Sequence, residues 1–148
     1  MEILRILASI PLFNGLTEDQ LKELAMIITD QTFKKGATIF SEGDEGTGFY
    51  IMIDGQVKIY KLSIEGKEQI LHVFGPGEPF AEAAVFTGKV FPAFADALKE
   101  SRVIFIPRKS FIQLIEENPS LAMNMLGALS QRLKKFAGMI EALSLKEV

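Results

Sequence analysis

Cysteine is absent and histidine occurs once, as His72, in a chain of 148 residues. Without cysteine there are no disulfides, thiolate metal sites, iron–sulfur clusters or cysteine nucleophiles. One histidine cannot build a two- or three-histidine metal centre, so no metal site is expected. No apolar run approaches the ~18 residues that a membrane span needs. The apolar start, residues 3–10, is broken by Arg5 and lacks a small-residue cleavage site, so it reads as a helix and not a signal peptide. A cytoplasmic protein without a membrane partner is expected. The net charge of -3 offers no electrostatic attraction to nucleic acid. Neither a GxSxG motif nor a Ser/His/Asp or paired-carboxylate set stands out. No catalytic residue is expected, and the chain does not read as an enzyme.

What remains is a globular composition. Hydrophobic residues make up 48% and charged residues 24%, enough to bury a core within one domain of ordinary size. Residues 1–30 read as two helical pieces. Ile3, Leu4, Ile6, Leu7 and Ile10 share a face that Pro11 ends. Thr17 with Gln20 forms a capping-box pattern, and Leu21, Leu24, Ala25 and Ile28 supply the stripe that follows. Residues 31–106 change character. Short apolar or alternating runs (38–40, 49–53, 57–60, 69–74, 103–106) are separated by glycine turns, the pattern of a β-sandwich or barrel. Asp54-Gly55 predicts a hairpin, with Val57 and Ile59 on one face and Lys58 and Tyr60 on the other.

The C-terminal part is helical again. Phe111, Ile112, Leu114 and Ile115 fit a short helix, and Asn118-Pro119 opens a long one, with Asn as N-cap and Pro at the first position. Leu126, Leu129, Leu133, Phe136, Ile140 and Leu143 recur at alternating steps of three and four. That seam fits a coiled coil. Packing against the chain's own β-region is the simpler use of it; packing against the same helix of a second copy, a homodimer, is the reading adopted.

Residues 74–97 hold the candidate binding site. A Gly75-Pro76-Gly77 turn precedes a short apolar helix predicted to start near Phe80, and residues 89–97 return extended. Backbone N–H groups at such a start have no intrahelical partner, although Pro79 removes one. Glu82 is a lone carboxylate among Phe80, Ala81, Ala83, Ala84, Val85 and Phe86. It is either a first-turn residue favouring the helix dipole or an acceptor for a ligand hydroxyl or amine. Asp96 and Glu100 read as solvated surface, as do the scattered lysines 34, 35, 58, 61 and 67. His72 reads as structural; one axial haem ligand is its alternative role.

Gly36, Ile39, Gly43, Asp44, Gly46, Tyr50, Ile53, Gly55 and Val57 match the spacing of the cyclic-nucleotide-binding domain. Residues 75–82, GPGEPFAE, resemble the start of its phosphate-binding cassette, and residues 11–16, PLFNGL, with Leu21 and Leu24 resemble its lead-in. With the long helix after Asn118, the whole chain resembles the Crp/Fnr transcription regulators. The resemblance implies a mainly β fold with flanking helices, a double-stranded β-helix (jelly roll) over residues 1–117, followed by a dimerisation helix over 118–148. It also implies DNA binding through a helix-turn-helix domain that is missing from this chain, so that DNA is reached only through a segment outside it.

The family pattern breaks at the nucleotide chemistry. Cyclic-nucleotide binders carry Arg then Ser or Thr near the end of the cassette. Matching on Ala93, Ala95 and Ala97 puts Phe91 and Pro92 there, which bring neither charge nor hydroxyl. Losing a bidentate charge-assisted pair, at about 1.5–3 kcal/mol per bond, weakens phosphate binding by several powers of ten. The family's adenine-contacting helix Thr aligns with Phe136, while Glu82 stands at its ribose-binding Glu. Phe80, Ala81, Glu82, Ala83, Phe91, Pro92 and Ala93 are therefore expected to line a site for an unknown small-molecule effector with an apolar part. An organic metabolite is preferred over haem held by His72 or a methionine. The expected function is the effector-sensing and dimerisation portion of a regulator that does not answer to cyclic AMP. The alternatives are a stand-alone cyclic-nucleotide-binding module and a roll kept only for dimerisation.

Overall fold

The computed structural model describes residues 2–82 and 89–146, without the side chains at 128, 129, 132, 135, 136, 139 and 143–146. Helix α1 (Glu2–Ser9), a 3₁₀ turn (Pro11–Phe13) and α2 (Glu18–Ile27) lead into eight strands: β1 (Thr29–Phe33), β2 (Thr38–Phe40), β3 (Gly48–Asp54), β4 (Val57–Leu62), β5 (Glu68–Phe74), β6 (Pro79–Phe80), β7 (Phe94–Ala97) and β8 (Ser101–Pro107). Helices α3 (Arg108–Glu117) and α4 (Pro119–Lys146) close the described chain. The strands form two four-stranded antiparallel sheets, ordered β1-β8-β3-β6 and β2-β7-β4-β5. This is the expected jelly roll with flanking helices.

The central strands explain both cores. Side chains alternate across a strand. Phe49 and Ile51 of β3 and Ile104 and Ile106 of β8 face the helices, joining Leu7, Phe13, Leu24, Phe111, Leu121 and Met125. Their neighbours Tyr50, Met52 and Val103 face inward and meet Phe40, Val57, Phe80, Phe91 and Ala95 between the sheets. A strand buried on both faces has no polar side, which is why residues 49–53 read FYIMI.

The Thr17 capping box forms: Thr17 Oγ1 accepts from Gln20 N at 3.2 Å, and Gln20 Oε1 accepts from Thr17 N at 3.0 Å. Helix α2 stops at Ile27, so Ile28 reaches the core from extended backbone rather than from the helix. Asn118 is the C-cap of α3, and its side-chain amide donates to Glu23 Oε2 and Leu114 O. The expected Asn118 N-cap bond is not what those donors make, although Pro119 does take the first position of α4.

Asp54-Gly55 is not a hairpin. β3 and β4 lie in different sheets, and the chain crosses between them there. Gly55 has φ +99, and a Cβ on it would lie 2.3 Å from Ser101 Oγ and 2.7 Å from Glu100 O. Glycine is needed for close approach as well as for its backbone angle. The register shift of the β4–β5 pair puts its extra residue, Leu71, in β5, while β4 runs regularly against β7; Tyr60 keeps the parity of Lys58 and is buried on that face, stacked on Phe94 at 5.3 Å.

Strand β5 lies at a sheet edge, and Ile70, Leu71 and Val73 on it are exposed. On α4, Leu121 and Met125 pack on the core one turn apart, and Asn124 Nδ2 donates to Gly15 O at 3.3 Å. From Leu126 onward every described side chain of α4 is exposed. At 1.5 Å per residue, that stretch of helix is about 30 Å long. No helix among the described residues is long and apolar enough to cross a membrane.

Candidate functional site

A cavity of about 290 Å³ opens on the second sheet, lined among the described residues by Phe40, Ile59, Phe74, Ala81, Glu82, Pro92 and Ala93. Each side chain arrives for a local reason. Phe40 and Ile59 come from β2 and β4, while Phe74 ends β5, whose other side chains are exposed. Pro92 and Ala93 precede β7, where Phe91 N donates to Asp44 O at 2.8 Å and accepting Phe91 O meets Gly43 N at 2.9 Å. These bonds pin the extended return across residues 43–44. Ala93 is buried and small, which leaves the room that the cavity occupies.

The site residues expected from sequence divide into three groups. Ala81, Glu82, Pro92 and Ala93 line the cavity together. Phe80 and Phe91 do not; both are buried between the sheets. Phe91 stacks on Phe40 at 4.0 Å, and Phe80 stacks on Phe74 at 5.6 Å and on Tyr50 at 5.1 Å. They stand behind the two rings that face the cavity and set their positions. Ala83 lies outside the described residues. Phe40, Ile59 and Phe74 were not anticipated. Their inward parity on apolar strands was a signal, but it does not tell which strands become neighbours.

The expected helix start at Phe80 is also corrected. Phe80 pairs with Tyr50 in β6, as Pro79 does with Ile51, so both belong to the sheet. Glu82 is the first helical residue beyond it. Ala81 between them has φ 65, the left-handed region that L-residues other than glycine seldom occupy. The chain turns there by a strained residue and aims Glu82 into the cavity.

The walls are apolar apart from Glu82. No lysine, arginine or histidine lines the cavity among the described residues, and Glu82 has no ion-pair or hydrogen-bond partner among them. His72 sits outside, on the exposed β5 strand, with Nε2 3.6 Å from Glu78 Oε2 and its ring 4.3 Å from that of Phe74. Asp96, expected at the surface, is half-buried: Tyr60 Oη donates to its Oδ2 at 3.0 Å, and Oδ1 has no partner among the described residues. Burial first, then this bond and the charge of Asp96, push the Tyr60 hydroxyl up to about 12. This pair lies on the sheet away from the cavity and holds β4 to β7. A second, larger cavity of about 610 Å³ lies between the 3₁₀ turn, residues 77–79 and α4, lined by Leu12, Asn14, Glu78, Asn124 and Gln131 among others.

Of the candidate dimer residues, Leu126, Leu133 and Ile140 are exposed on α4, at 56%, 69% and 64%. The side chains of Leu129, Phe136 and Leu143 lie outside the described ones. The three that are seen are not used by the chain's own core.

The fold is thus a two-sheet roll with flanking helices and a small cavity on one sheet. Residues 30–118 match the cyclic nucleotide-binding domain, and the chain belongs to that family, with homology to the Crp/Fnr transcription regulators. The CRP-like cAMP-activated global transcriptional regulator of Mycobacterium tuberculosis is 29% identical over 130 residues, 88% of this chain and 58% of that protein. The structure of DNR from Pseudomonas aeruginosa superposes with a TM-score of 0.81 at 37% identity, covering 96% of this chain and 63% of that one. The separate sensor domain of the same regulator gives a TM-score of 0.77 at 35% identity, with 93% of this chain and 95% of that one covered. The chain thus spans about three fifths of the first two proteins and nearly all of the third.

Proposed function

We propose that this chain is the effector-sensing and dimerisation portion of a Crp/Fnr-like transcription regulator of the cytoplasm, with residues 1–117 as sensor and 118–148 as dimerisation helix, and that its effector is not cyclic AMP. The match to a sensor domain of nearly the same extent supports the first part. The observation that carries the second is the cavity wall: seven described residues, one carboxylate and no cation. A cyclic phosphate brought there would meet Glu82 with no positive charge to offset it, and a charge desolvated without a partner is strongly disfavoured. DNA would be reached through a segment outside this chain, and the module is not catalytic.

Coupling would be a population shift. Ligand in the cavity would favour one arrangement of roll and α4, and the helix would carry that preference to whatever it joins. Calorimetric titration with cyclic AMP and cyclic GMP tests the reading. No saturable binding is expected at micromolar concentration. A dissociation constant near 1 μM, roughly -8 kcal/mol, would overturn it in favour of a nucleotide-responsive module that regulates a partner.

A further inference from the structure

We infer that the cavity selects a small organic cation, a protonated amine on an aryl or alkyl body, over a neutral or anionic ligand of the same shape. The inference rests on the non-nucleotide reading above and narrows it to one ligand chemistry. Glu82 is the cavity's single charged group among the described residues, and no described side chain neutralises it. A neutral alcohol could donate a hydrogen bond to it, yet filling the cavity would strip water from a carboxylate and leave the negative charge uncompensated. An ammonium group restores neutrality and makes a charge-assisted bond in the same step.

The aromatic walls act in the same direction. The rings of Phe40 and Phe74 both border the space that Glu82 faces. Each is held from behind, Phe40 by Phe91 and Phe74 by Phe80. A ring braced in this way presents its face or edge without a loss of rotamer freedom on binding. Aromatic faces attract cations and repel anions through the ring quadrupole, and they supply apolar surface for the body of the ligand. At about 290 Å³ the cavity sits near the small end of ligand pockets, so a monocyclic amine is the appropriate size.

The test is a calorimetric comparison of three probes on the unmutated chain and on Glu82→Gln: phenethylamine, phenethyl alcohol and hydrocinnamate. The amine is expected to bind at least about tenfold more tightly than the alcohol, with no binding of the acid, as one charge-assisted bond implies. Glu82→Gln is expected to abolish that preference by weakening the amine far more than the alcohol. A Phe74→Leu variant, which keeps apolar bulk, is expected to weaken the amine more than the alcohol; thermal melting of both variants confirms folding. Equal binding of amine and alcohol, or amine binding insensitive to Glu82→Gln, overturns the cation inference and leaves the non-nucleotide reading standing. Absence of saturable amine binding at roughly 1 mM also overturns it. Micromolar binding of cyclic AMP would instead refute the reading beneath it.

Discussion

Leu133→Glu is the sharpest perturbation of the proposed dimer. Leu126, Leu133 and Ile140 are 56%, 69% and 64% exposed, and complete burial of such side chains is worth about 1.5–3 kcal/mol each. Covering what is still exposed on two helices then contributes roughly 6–12 kcal/mol. Association costs an estimated 4–15 kcal/mol, so these six side chains alone leave the pair near balance. Leu129, Phe136 and Leu143 continue the same heptad pattern, and a parallel coiled coil that buries all six positions per chain moves the balance clearly toward dimer.

Leu133→Glu removes two leucines from the seam centre and sets two like charges together. The lost burial is about 2–4 kcal/mol, and two unit charges at contact distance repel by up to about 4 kcal/mol near a protein surface. A weakening of roughly a thousandfold or more follows. Light scattering reads the result directly: the unmutated chain should give about twice 16.4 kDa, and Leu133→Glu one chain mass at the same concentration. Lys134→Gln, exposed and off the seam, should leave the dimer intact. A single-chain mass for the unmutated protein, or a Leu133→Glu variant that stays dimeric, refutes the seam.

Two further outcomes test the roll itself. Ala81→Gly should raise the unfolding free energy, read by urea titration, by about 0.5–1 kcal/mol: it relieves a left-handed alanine, worth about 1–2 kcal/mol, against the greater chain entropy of glycine; a drop in stability would mean that the methyl packs more usefully than its backbone is strained. Tyr60→Phe should destabilise by about 1–3 kcal/mol, because Asp96 loses the Tyr60 hydrogen bond while staying half-buried. It should also flatten the alkaline limb of stability. The Tyr60 hydroxyl ionises at about 12 when folded and near 10 when unfolded. The unfolded chain therefore releases its proton first, and stability present below pH 10 is lost as pH rises toward 12, by at most ~3 kcal/mol. Burial also raises Tyr50, but it does so in both proteins, so denaturant midpoints between pH 9 and about 12 that run parallel would exclude the Tyr60 contribution.

Local chemistry was legible where one segment decides its own structure. The Thr17–Gln20 box needs only two side chains three residues apart, and it forms as expected. The FYIMI run announced a strand because both of its faces are buried. Strands β1 and β6 were missed for opposite reasons. β1 reads TDQTF, a polar edge held partly by Arg102, whose guanidinium bonds Asp30 and Glu2; nothing in its hydrophobicity marks it. β6 has two residues and exists only because β3 lies beside it. Asp54-Gly55 looked like a hairpin because its local signal is the same whether the next strand pairs with the last one or crosses to another sheet. Only Ser101, 46 positions beyond Gly55 and pressed against it, distinguishes the two.

The same limit separates the expected residues that the cavity brings together from those that it does not. Ala81, Glu82, Pro92 and Ala93 line it together because they lie within one stretch whose turn and return place them opposite one another. Phe80 was expected at the site as a helix start and Phe91 at the position of the family's Arg. Their burial between the sheets depends on Tyr50 and Phe40, which come from β3 and β2. A ring placed where a guanidinium would be needed does more than remove a charge: Phe91 stacks on Phe40 at 4.0 Å, so the position becomes part of the core and its neighbour becomes part of the wall. Phe91→Arg would therefore remove the stack behind Phe40 and put a cation into a buried space.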